Sequence, residues 1–209
     1  MILSPLVLAA LACQAVLPAK TTDGTSRKIL LNDDFSNSNS GWKRVTAING
    51  ETNYDDGVYR IFVNEANMDV WSLRKLDQGD VEIEVDATKV AGERNNRFGI
   101  ICRAVDPNNF YTFVISSDGY YGIGKIKDRN YALIGMQSLQ PSNAIELGSA
   151  TNHIRADCIK DTLTLTVNGK KLAEVKDSEF ASGDVGLIAG TYDAPGTDIR
   201  FDNFMVYKP

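Results

Sequence analysis

Alternation with a period of two is the feature that most limits what this chain can fold into. Leu163, Leu165 and Val167 alternate with Thr162, Thr164 and Thr166, and Val81, Ile83 and Val85 alternate with Glu82, Glu84 and Asp86. Successive side chains of a strand point to opposite faces, so each segment carries one oily and one wetted face. A sheet made of such strands must stack its dry face on another sheet, which gives two layers. Residues 98–121 add antiparallel connections. Two apolar segments flank the turn residues Asp106-Pro107-Asn108-Asn109, and Ser117-Asp118-Gly119 then opens onto Tyr120-Tyr121. Asp-Gly between β-forming residues is a strong hairpin signal, because Gly takes φ > 0 at no steric cost.

About a dozen short segments of this kind, separated by turn residues such as Asn168-Gly169, run from residue 29 to residue 207. They predict an all-β, two-sheet antiparallel jelly-roll sandwich. Helical periodicity is nearly absent, and single turns fit only near residues 142–146 and 178–180. The 209 residues are enough for one such core. The formal charge of −5 comes from interspersed acidic and basic residues with no long basic run. That distribution argues against nucleic acid as a partner.

The chain opens differently. Residues 2–12 are apolar but too short to span a bilayer as a helix, which needs about 20 residues. They read as the hydrophobic region of a signal peptide. Ala10-Leu11-Ala12-Cys13 resembles a bacterial lipobox, which implies cleavage before Cys13 and lipidation of its thiol. The alternative is an ordinary signal peptide cut near Ala15 or Ala19. Residues 14–27 are polar, small and Pro/Gly-bearing, as in a flexible tether. The expected organisation is a signal peptide over 1–13, a tether over 14–27 and one domain over 28–209. The expected location is extracytoplasmic, on a lipid anchor at the cell surface or otherwise secreted, with the anchor as the sole membrane contact.

Alternation turns Cys102 inward with Phe98 and Ile100, and Cys158 inward with Ile154 and Ala156. Two readings stay open for this pair: a disulfide, which export permits, or two buried free thiols.

Several stretches together resemble a known family. They are Leu31-Asn32-Asp33-Asp34-Phe35 with Gly41-Trp42, and Tyr54-x-Asp-Gly-x-Tyr59 with its paired aspartates. They continue with Asn152-x-Ile-Arg-Ala-Asp157 before Leu163-x-Leu-x-Val-Asn-Gly169, then Gly183-Asp-Val-Gly-Leu-x-Ala189, and the ending Phe201-Asp-Asn-Phe-x-Val-Tyr207. The pattern is similar to concanavalin A-like lectin/glucanase sandwiches, nearest to laminin G-like and 3-keto-disaccharide hydrolase-like (family 16 glycoside hydrolase-like) domains. The resemblance implies glycan or extracellular protein as partner. It does not choose among lectin, adhesion module and hydrolase, since this fold hosts all three.

Three chemistries are candidates. The first is glycan binding, where aromatic faces cover C–H-rich sugar faces and polar groups at their rims bond hydroxyls. Trp71, Tyr111, Tyr120, Tyr121 and Tyr192 supply rings, and Arg103, one residue after inward Cys102, is expected on the wet face. Each ring has an alternative in ordinary core packing, and Trp42 is assigned to the core. The second is glycoside hydrolysis. Glu82, Glu84 and Asp86 share one face, and a retaining glycosidase needs two carboxyls about 5 Å apart. The order Glu, Glu, Asp differs from the Glu, Asp, Glu of family 16 glucanases, and the adopted reading is a solvated strand face. His153, the one histidine, points the same way and has no His or Cys cluster beside it. The third, implied by the resemblance, is a structural calcium at Asp34 and Asp202, neighbours if the terminal strands pair. The alternative is that Asp33, Asp34 and Asp202 cap turns and keep strand edges soluble.

The expected function is therefore a non-catalytic carbohydrate- or partner-binding module, using a concave sheet. The alternatives are a glycoside hydrolase or 3-keto-glycoside-cleaving enzyme with strand carboxylates in the concave cleft, and a laminin G-like protein-interaction domain.

Overall fold

Two faces of every alternating strand have to be accounted for, and the structure, a computed structural model describing residues 27–209, shows where each goes. The lipobox cysteine Cys13 and nearly all of the tether lie outside the described residues. Among those described, the strands in chain order are β1 (Lys28–Asp33), β2 (Val45–Ala47), β3 (Gly50–Asp55), β4 (Val58–Val63), β5 (Asp69–Gln78) and β6 (Val81–Ala91). Next come β7 (Asn96–Asp106), β8 (Asn109–Ile115), β9 (Tyr120–Lys127), β10 (Asn130–Leu133) and β11 (Gln140–Pro141). The chain ends with β12 (Thr151–Ile159), β13 (Thr162–Val167), β14 (Lys170–Lys176), β15 (Gly183–Thr191) and β16 (Thr197–Lys208). No helix forms among them, the short turns near 142–146 and 178–180 included.

The strands make two antiparallel sheets. The nine-stranded sheet has the order β14-β13-β12-β6-β16-β4-β3-β2, with β1 also on β16. The seven-stranded sheet has the order β10-β9-β8-β7-β15-β5, with β11 also on β9. This is the jelly-roll sandwich that alternation predicts. The inner faces meet in one core. Val81, Ile83 and Val85 of β6, Ile154 and Ala156 of β12, and Leu163, Leu165 and Val167 of β13 are buried against Phe98 and Ile100 of β7, Phe113 of β8 and Leu187 of β15. Burying a side chain of this size contributes about 1.5–3 kcal/mol.

One end of the core is aromatic. The Trp42 ring stands 5.6 Å from that of Phe35, 5.2 Å from Tyr59 and 4.9 Å from Phe204. Its indole N–H donates to buried Asp33 at 2.9 Å, and the Phe35 amide donates to the other Asp33 oxygen at 3.0 Å. Asp33 thus holds the entry of the chain into the sandwich.

Cys102 and Cys158 are joined by a disulfide, which ties β7 of one sheet to β12 of the other. Beside it the Arg103 guanidinium is buried and donates to the carbonyls of Gly79 (2.8 Å), Lys160 (2.7 Å), Phe180 (3.2 Å) and Cys158 (3.2 Å), and to Asp80 (3.1 Å). Arg103 was expected on the wet face. The pairing register of β7 with β8 shifts after Cys102, and Arg103 has φ 50°, so a bulge breaks the alternation there and turns the side chain in among loop carbonyls. It staples three segments instead of facing a ligand.

The cross-link closes a sequence separation of 56 residues, for which loop-closure entropy gives about 4 kcal/mol. A Cys102→Ala/Cys158→Ala variant is expected to lose stability of that order in urea unfolding while keeping its β circular dichroism.

Candidate functional site

The outer faces of the two sheets differ in chemistry. On the nine-stranded sheet the outer face is a ladder of opposite charges. Arg155 of β12 lies 2.9 Å from Glu82, 3.4 Å from Glu84 and 2.7 Å from Asp157. Arg27 reaches Glu82 at 3.0 Å and Glu84 at 2.7 Å, and His153 Nδ1 is 2.8 Å from Asp86. Asp86 also accepts from the Asn203 amide at 3.0 Å. The three strand carboxylates are therefore paired on a wetted surface, on the sheet opposite the groove described next.

The outer face of the seven-stranded sheet is apolar. Ile101, Ala104, Phe110, Val114, Ile126 and Ile188 form a second buried cluster there, joined by half-buried Trp71, Leu73 and Leu139. These six residues are buried, so the side chains lying over them, and not an open apolar patch, form the surface there. The strand register explains its hollow shape. Gly186 and Gly190 of β15 and Gly122 and Gly124 of β9 occupy outward positions, on either side of the bulky outward residues of β7 and β8. Glycine inside a strand marks a close approach of other groups. At Gly190 a Cβ would sit 2.0 Å from an Asp69 carboxylate oxygen, and at Gly124 it would sit 2.8 Å from the Tyr131 ring. At Gly122 it would sit 2.6 Å from Leu139. The glycines are beds on which the side chains of the groove lie flat.

An ion pair crosses this groove. Arg97 of β7 donates to Asp69 of β5 at 2.5 and 2.7 Å, with both side chains largely buried. Burial works against the Arg97 charge, but the Asp69 hydrogen bonds outweigh it and hold the guanidinium protonated. Its Cζ stands 4.7 Å from the centre of the Tyr192 ring and 5.6 Å from that of Tyr131. Burial also pushes the Tyr131 phenol up to about 12, so it stays a neutral hydroxyl at physiological pH. The Trp71 ring lies 5.6 Å from Phe110. Under these groups the fully buried Thr112 hydroxyl has no hydrogen-bond partner. A cavity of about 390 Å³ opens between Asp69, Trp71, Ile126 and Tyr131, and one of about 490 Å³ between Ser116, Tyr120, Leu139 and Tyr192.

Of the rings named from sequence, Trp71, Tyr120 and Tyr192 line these cavities. Tyr121 packs against the inner core. Tyr111 is also an inner residue, and its hydroxyl donates to Asp177 at 2.6 Å and accepts from the Phe180 amide at 3.0 Å. Burial, and then the Asp177 carboxylate, raises its phenol pKa. Tyr111 therefore belongs to the core, for the reason Phe113 does: inward parity on β8. Asp69, Arg97 and Tyr131 were not singled out from sequence, although Gly122-x-Gly124 and Gly186-x-x-x-Gly190 carry the signal of close approach.

The terminal strands pair, with Asp33 opposite Phe204. Asp34 and Asp202 nevertheless serve local turns: Asp34 accepts from the Ser36 amide and hydroxyl, and Asp202 from the Asn203 amide. Among the described residues no three His, Cys, Asp or Glu gather as a cation site.

No protein-family model and no curated protein matches this chain in sequence. Solved structures match it in shape. One is the carbohydrate binding module CBM66 from Bacillus subtilis, at TM-score 0.55 and 16% identity over 80% of this chain and 96% of that one. The fold is concanavalin A-like. A Bacillus subtilis protein with a galectin-like fold matches at TM-score 0.58 and 12% identity over 87% of this chain and 96% of that one. The GH43 protein BlXynB from Bacillus licheniformis matches at TM-score 0.55 and 13% identity over 85% of this chain, which spans only 39% of that larger protein. At these identities the likeness is one of fold.

Because the ion pair lies over Gly190, a Gly190→Ala variant must displace Asp69 or Arg97. It is expected to lose about 1–3 kcal/mol in denaturant unfolding, as overpacked sites do, and to alter the near-ultraviolet dichroism of the surrounding tyrosines.

Proposed function

We propose that this protein is a non-catalytic carbohydrate-binding module that takes its ligand in the groove of the seven-stranded sheet. The observation that carries the reading is the pairing of rings with fixed polar groups on an otherwise apolar outer face. Trp71, Tyr131 and Tyr192 stand around the Arg97–Asp69 pair, whose atoms are held within hydrogen-bonding distance of each other. Rings cover the C–H face of a sugar, and oriented charged donors and acceptors bond its hydroxyls. The likeness in fold to the carbohydrate binding module CBM66 supports this reading. The pairing of Glu82, Glu84 and Asp86 with Arg27, Arg155 and His153 on the far sheet supports binding over hydrolysis.

The module is proposed to act outside the cytoplasm, held to a membrane by lipid on Cys13. Tethering raises the effective concentration of a binding site at a surface. A Cys13→Ala variant is expected to move from the membrane to the soluble fraction and to lose labelling by a palmitate analogue. Unchanged labelling would remove the anchor from the proposal.

The full chain is expected to be retained on a glycan array, and Trp71→Ala to lower the affinity for the retained sugar at least tenfold in calorimetry, at a temperature where the variant keeps the wild-type circular dichroism. Failure to retain any glycan, with a protein recovered by pull-down, would overturn the proposal in favour of a protein-interaction domain.

A further inference from the structure

Three hollows follow one another: the first two flank the Arg97 guanidinium, and the second and third share lining residues. The 390 Å³ cavity contains Tyr131, and the 490 Å³ cavity contains Tyr192. Arg97 stands 5.6 Å from one ring and 4.7 Å from the other, so the two ring centres are no more than about 10 Å apart, those distances laid end to end. The 490 Å³ cavity in turn shares Asp118 and Tyr120 with a third, of about 720 Å³, walled by Pro141, Ile145 and Leu147. Each hollow has the volume of an ordinary small-molecule site, about 300–1,000 Å³. The three form a row, with an aromatic residue at each junction. Tyr120 at the second junction is 40% exposed, and Leu147 beyond it 55%. Ile145 beside Leu147 is buried, which fixes the wall they share to the sandwich.

Charge along the row sets the class of ligand. The lining carboxylates are Asp69, Asp118 and Glu146, against the guanidinium group of Arg129 in the lining and that of Arg97, which is paired with Asp69. Arg97 is already neutralised by Asp69, and Asp118 accepts a hydrogen bond from Ser116. An anionic chain would meet a lining with one surplus negative charge and no unengaged cation at its centre. An uncharged chain meets oriented donors and acceptors with no net field to oppose it.

We infer that the groove is a row of at least three subsites for a linear oligosaccharide of uncharged sugars, running from Trp71 and Tyr131, past Arg97 and Tyr192, to Tyr120 and the pocket of Leu147. This rests on the glycan reading above and specifies its ligand. Tyr120 belongs to the far subsites alone. Its ring serves sugars that a short ligand anchored at Trp71 does not reach.

The test is calorimetry of the full chain against gluco-, xylo-, manno- and galacto-oligosaccharide ladders of one to six units, with oligogalacturonides as the anionic series. In at least one neutral ladder, affinity is expected to rise tenfold or more between the monosaccharide and the trisaccharide. Tyr120→Ala is expected to abolish that rise, while Tyr120→Phe keeps it. Both variants should unfold at the wild-type midpoint. Affinity independent of length, a rise that survives Tyr120→Ala, or preference for galacturonides would overturn the inference while leaving a glycan-binding module in place. Absence of binding to every ladder and to the array would instead sink the glycan reading itself, and this inference with it.

Discussion

The dry interface between the two sheets is what every other feature rests on. Strands β6, β12 and β13 present one unbroken row of aliphatic side chains, and β7, β8 and β15 present another. Their contact is non-directional, so on its own it would let the sheets slide. Directional links remove that freedom: the Cys102–Cys158 bond runs across the interface, and the Arg103 guanidinium collects carbonyls from the segments around Gly79, Lys160 and Phe180. A buried guanidinium is tolerable only when its donors are met, and loop carbonyls meet nearly all of them. Truncating it would leave those carbonyls unsatisfied, which is why its role is architectural.

With the interface secured, the two outward faces are free to differ. One carries charge pairs between neighbouring strands, in which the Glu82 and Glu84 side chains are only 14% exposed. The other replaces water with side chains lying across glycines. That sheet face is floored by Ile101, Val114 and Ile188, bedded by glycines, and covered in part by Leu133, Met136 and Leu139 of the segment that follows β9. The groove follows from side-chain size at outward positions; Trp71, Tyr131 and the Arg97–Asp69 pair are held by strands, and Tyr192 directly follows β15. Sites on such elements keep their geometry and lose little entropy on binding.

Legibility in the sequence followed the same division. Strands with clean alternation, such as residues 81–86 and 162–167, were readable residue by residue, because parity alone decides which side is buried. The solvated ladder of Glu82, Glu84 and Asp86 and the inward cysteines follow from it. Parity failed at Arg103, where one bulge residue reverses the sides. It was silent for β8 and β15, whose two faces are both apolar, so on paper Tyr111 looked as fit for a ligand as Trp71 did. Asp69 and Arg97 lie 28 residues apart and meet only because β15 sits between their strands.

The sequence by itself determined the fold class, the content of the core and the wetness of one outer face, because each of these depends on local periodicity. Only the tertiary structure decided which rings share a groove, which arginine is a staple and which a ligand-facing group. Those outcomes depend on strand order and register between segments distant in the chain, and no local pattern of residue types encodes them.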